Sequence, residues 1–80
     1  MTQDKWSQAH PTAHRAALLG ERDAAHGALS RTAFFDHFDL NVDDCCEGYT
    51  APALYHLYLT SRARTRLLWN TTDKRLPKSA

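Results

Sequence analysis

Thr50-Ala51-Pro52 opens the longest uninterrupted helical pattern in the chain, and that pattern decides most of what the chain can fold into. A capping hydroxyl followed by proline suits a helix start, because the donor that proline lacks would have no partner in the first turn. Beyond it Leu54, Leu57, Tyr58, Ser61, Thr65 and Leu68 recur at helical spacing, with Tyr55, Leu59, Arg62, Arg66 and Trp69 on a neighbouring line. The first half of this stretch is apolar nearly all round, which suits the centre of a bundle or an interface. Asn70 is the expected stop. The pattern therefore predicts a helix to about Trp69, its greasy beginning inside and its cationic, indole-bearing end pointing outward.

Such a helix needs neighbours, and the preceding residues supply candidates. His10-Pro11-Thr12 reads as a second helix start. From Ala13 to about Leu29, the small residues Ala13, Ala17, Gly20, Ala24 and Gly27 or Ala28 share one face, which lets another helix approach closely. Gly20 and Gly27 weaken the case for an unbroken helix, each costing about 1 kcal/mol relative to alanine. Ser30 is a suitable N-cap for a third segment, Arg31 to Phe38, in which Phe34 and Phe38 stack on one face as expected core. Asp39 to Gly48 is an acidic, turn-rich connection with an expected helical turn around Asp43 to Glu47. No period-2 strand pattern stands out. The reading is all-α, a small bundle of three to four helices, with residues 1–10 a flexible leader, 11–70 the helical domain and 71–80 a flexible basic tail.

An 80-residue chain makes one small domain with a thin stability margin, the kind that gains from a metal, self-association or a partner. Its hydrophobic fraction of 42% is enough for a core, and its net charge of +1 announces neither nucleic acid nor membrane. No apolar run approaches bilayer length, and the polar N-terminus does not resemble a signal peptide. A reducing cytoplasm is the expected setting for the adjacent pair Cys45-Cys46. Abundant alanine, arginine, aspartate and histidine without isoleucine is a flavour of high-GC prokaryotic or phage genes.

The near-neutral sum hides a segregated charge. Between Thr32 and Ser61 stand Asp36, Asp39, Asp43, Asp44 and Glu47 with no lysine or arginine, whereas from Arg62 onward six basic residues face the single acid Asp73. Arg62 and Arg66 lie one turn apart with Trp69 following on that side, a set that could bind phosphates and stack on a base, or grip an acidic protein surface. The plain alternative is a solvated helix end whose cations complement the macrodipole.

Other constellations are weaker. Asp39-x-Asn41-x-Asp43 opens like an EF-hand loop, but Asp44 replaces the required glycine and Thr50 the closing glutamate. A helix-turn-helix over the same region would present Asp43, Asp44 and Glu47 to phosphates, the wrong sign for DNA. Cys45-Cys46 lacks the spacing that aims two ligands at one zinc ion, so two ordinary buried or half-buried thiols are expected. His56, between Tyr55 and Leu57, reads as a core or interface histidine. No phosphate loop, nucleophile elbow or paired-carboxylate motif is present.

These observations lead to the expectation of a non-enzymatic protein-binding module, an inhibitor or adaptor of the phage type, without cofactor or metal. The expected contact residues on a larger protein partner are Tyr55, Arg62, Arg66 and Trp69, with Asp43, Asp44 and Glu47 as a second patch. A nucleic-acid-binding regulator using the C-terminal arginines is the alternative, and a homodimer through the small-residue face or the apolar half of the last helix is a further expectation.

Overall fold

The computed structural model describes residues 5–75, with side chains described through residue 70. Four helices and one minimal hairpin follow in order: α1 (Lys5–Ala9), α2 (Pro11–Asp23), α3 (Arg31–Phe38), β1 (Cys45–Cys46), β2 (Tyr49–Thr50) and α4 (Ala51–Arg75). The fold is all-α apart from that hairpin, and the long last helix is its spine. Thr50 begins α4 as its hydroxyl implies, accepting from the Ala53 amide at 3.2 Å.

α2 packs along α4 at a point where only glycine fits. A Cβ on Gly20 would stand 2.3 Å from the Tyr58 carbonyl oxygen and 3.0 Å from the Arg62 nitrogen, so the two backbones touch there. Around this crossing Ala13, Ala16, Phe34, Leu54 and Tyr58 form the fully buried core. The small-residue face is thus an internal packing surface. It is also shorter than expected, because α2 ends at Asp23 and leaves Gly27 and Ala28 exposed in the following loop.

α3 starts on the Ser30 hydroxyl, which accepts from the Ala33 amide at 3.1 Å. It stops on Asp39, whose backbone is left-handed (φ 58°, ψ 48°), with the Leu40 amide donating to the Phe35 carbonyl at 2.8 Å. This is a Schellman ending with aspartate where glycine is usual. The Phe34 ring lies 5.3 Å from both Tyr55 and Tyr58 and ties α3 to α4.

Three sequence expectations are corrected here. Residues 43–47 do not form a helical turn: β1 and β2 pair antiparallel, Cys45 with Thr50 and Cys46 with Tyr49. Glu47 (φ 54°) and Gly48 (φ 87°) both take positive φ, the signature of the tight turn whose twist matches a hairpin. The same geometry removes the second helix of a helix-turn-helix. At the N-terminus, residues 5–9 are helical rather than an unstructured leader, held by Trp6, whose indole donates to the Tyr49 hydroxyl at 3.2 Å and stacks on His10. At the other end α4 passes the expected stop at Asn70 and continues to Arg75, and the remainder of the expected tail lies outside the described residues. No helix among the described residues is long and apolar enough to cross a membrane.

Candidate functional site

Three of the charged residues that the sequence offers to a partner, Glu47, Arg62 and Arg66, bond to the two ends of α2. Its N-cap position, His10, makes no side-chain capping bond, so the first amides of the helix need another acceptor. Glu47 supplies it from the hairpin turn: its carboxylate accepts from the Thr12 amide at 3.0 and 3.1 Å and from the Ala13 amide at 3.3 Å. Partial burial works against the ionised form, yet the Thr12 hydroxyl, the two amides and nearby His10 outweigh it and hold this carboxyl below its ordinary range. An anion at the positive end of a helix also complements the macrodipole.

At the opposite end the sign reverses. Arg62 donates to the Asp23 carbonyl at 3.3 Å and to the His26 carbonyl, and Arg66 donates to the Ala24 carbonyl at 2.8 Å. Two cations of α4 therefore bond to the last carbonyl of α2, Asp23, and to two carbonyls of the loop that follows, Ala24 and His26. The expectation that both point outward is corrected for Arg62, which lies half-buried on these carbonyls, whereas Arg66 remains exposed while donating to Ala24.

Tyr55 is likewise engaged. Its hydroxyl donates to the Leu29 carbonyl at 2.8 Å, while the Leu29 amide donates to the Tyr58 hydroxyl at 2.8 Å. Two phenols one turn apart thus satisfy both backbone groups of one loop residue. The Tyr58 hydroxyl also donates to Asp23 at 2.6 Å, and burial together with that bond pushes the phenol above its ordinary range. Of the acidic patch, Asp43 is exposed; Asp44 accepts from the Asn41 amide at 2.7 Å and shapes its own turn. Of the three acids, only Asp43 has no structural bond described and stands exposed.

The large apolar side chains that α4 leaves open begin after Arg66, whose bond to Ala24 is the last one described from α4 to the end of α2. Leu67, Leu68 and Trp69 are 63%, 58% and 46% exposed. Three successive large apolar residues point roughly 100° apart, so at this turn they cover about half of the helix circumference. A helix of this length spans about 37 Å at 1.5 Å per residue, nearly twice the length of the 13-residue α2. The overhang shows in the shape: the radius of gyration is 14.7 Å, against about 12 Å for a compact chain of this size.

Of the expected contact residues, Arg66, Trp69 and Asp43 are exposed, Arg66 with one donor already held by the Ala24 carbonyl, whereas Tyr55, Arg62, Asp44 and Glu47 are half-buried. Leu67 was missed because it belongs to neither apolar line, and Leu68 because it was assigned to the buried line, which in fact loses cover after Thr65. His56 is exposed, which removes the core half of its core-or-interface reading; Cys45 is exposed and Cys46 half-buried. Comparison with family models, curated proteins and solved structures finds no match to this chain.

Proposed function

We propose that this chain is a protein-binding module that presents the end of α4 to a larger protein. The supporting observation is the run of exposed Leu67, Leu68 and Trp69 on a helix that has outrun the rest of the domain. An isolated exposed leucine is ordinary, whereas contiguous large side chains are the kind of surface that becomes buried on association. The natural mode is helix-in-groove, in which an apolar helix face enters a hydrophobic cleft of the partner and tryptophan acts as anchor. Because the helix is already folded and fixed to the domain by Arg62, Arg66 and the Gly20 crossing, little ordering entropy is lost on docking.

A photo-crosslinking residue at Leu68, introduced into the full chain in its source cell, tests this reading. The expected result is an adduct with one larger protein that disappears when Leu67 and Trp69 are both replaced by glutamate. It should persist in Arg15→Gln, far from the overhang. No adduct, or an adduct only of twice the chain mass, overturns the proposal; the latter would assign the overhang to a second copy.

A further inference from the structure

We propose that the furrow between α2 and α3 binds a small carboxylate carrying an aromatic or branched apolar group, a site separate from the overhang of α4. Both helices pack chiefly on α4, through Gly20 and Phe34 respectively, and between them remains a half-open cleft of about 270 Å³. Arg15, Leu18, Leu19 and Arg22 line it from α2, and His37 and Phe38 from α3. The α2 residues lie at positions i, i+3, i+4 and i+7, one face of two helical turns.

Burial sorts these groups into a floor and a rim. Leu19 and Phe38 are half-buried and packed against the core, whereas Arg15, Leu18, Arg22 and His37 are exposed. The lining therefore has an apolar base beneath two permanent cations and contains no acid. Neither guanidinium pairs with a carboxylate among the described residues. Arg15 is already placed, its guanidinium carbon 5.4 Å from the centre of the Phe38 ring, a stacking that leaves its in-plane donors available.

That combination selects a ligand by exclusion. A bare phosphate would satisfy the arginines but leave Leu18, Leu19 and Phe38 wet. A neutral hydrocarbon would cover the leucines and gain nothing from the two guanidiniums. A carboxylate attached to a ring or a branched chain meets both, with its two oxygens matching the fork of an arginine and its apolar part on Leu19 and Phe38. The volume sits at the lower edge of ordinary ligand pockets, so one or two fused rings is the fitting size.

The test is an amide NMR titration of the full chain at constant ionic strength with 2-naphthoate, its neutral counterpart 2-naphthalenemethanol, and inorganic phosphate. Saturable shifts from naphthoate are expected at Leu18, Leu19, Arg22, His37 and Phe38, with at least tenfold tighter binding than either comparison compound. Arg15→Gln and Arg22→Gln should each weaken naphthoate about tenfold, the loss of one charge-assisted contact, while the spectra of both variants remain those of the folded chain. Leu68→Gln should leave it unchanged. Equal binding of the alcohol, equal binding of phosphate, shifts centred on residues 67–69, or an absence of saturation would each overturn the proposal.

Discussion

The two ends of α4 differ in what they do with their side chains. From Ala51 to Arg66 the helix works inward: Leu54 and Tyr58 are fully buried, Ser61 donates to the Ala17 carbonyl at 2.8 Å, and both arginines close the C-terminus of α2. From Leu67 onward it turns leucine and tryptophan to water. On the same helix, groups that look like recognition elements are structural, and groups that look like core are exposed. Charge on a surface helix is therefore a poor guide to a binding site until the termini of neighbouring helices have been checked for the groups they need.

The sharpest way to break the inward half is at the helix crossing. Gly20→Ala should cost about 3 kcal/mol, the upper range for overpacking, because the new methyl meets a backbone oxygen that cannot rotate away. Urea denaturation reads this directly; a neutral or stabilising effect, as helix propensity alone would give, would mean that the backbones are not in contact. Next in size is Tyr58→Phe, which strands the Leu29 amide and removes a donor from Asp23, for about 2 kcal/mol. The folded-state pKa of this phenol is raised, so the stability it contributes is complete below pH 10 and falls as pH rises through the folded value. An alkaline titration of stability should accordingly be flatter in the phenylalanine variant.

Glu47 gives a smaller effect of opposite pH sign. Its folded pKa is depressed, so its contribution is present above its ordinary value of 4.5 and is lost as pH falls through the folded value. Glu47→Gln should be less stable than wild type by about 1 kcal/mol near neutrality, a typical worth for a helix cap with its charge. The difference between the two proteins should shrink on acidification below pH 4.5; a constant difference would remove the ionic part of the cap.

How much of this was legible depends on how local the signal is. The α4 start at Thr50, the Ser30 cap and the buried Phe34 can be read from a few adjacent residues, and all three stand. The hairpin could not be read so, because Glu47 takes a left-handed backbone that favours glycine or asparagine, and its bond to α2 comes from 35 residues away in sequence. The sequence suggests that Arg62 and Arg66 complement the end of their own helix, whereas α4 runs on to Arg75 and the two cations bond to carbonyls at the end of α2. No periodicity reveals which helix end a long side chain will reach. The five-residue α1 escaped for a related reason, since its support comes from Tyr49 across the fold rather than from its own pattern.

The division of α4 into an internal and an external part is tested most directly by two matched double variants under urea denaturation. Arg62→Gln with Arg66→Gln should lose about 2 kcal/mol, because the α2 carbonyls lose their charged donors. Leu67→Gln with Leu68→Gln, similar in helix propensity and more than half exposed, should stay within about 0.5 kcal/mol of wild type. The reverse ranking, with the leucine pair costly and the arginine pair neutral, would show that the greasy end is packed and the cations are the free surface.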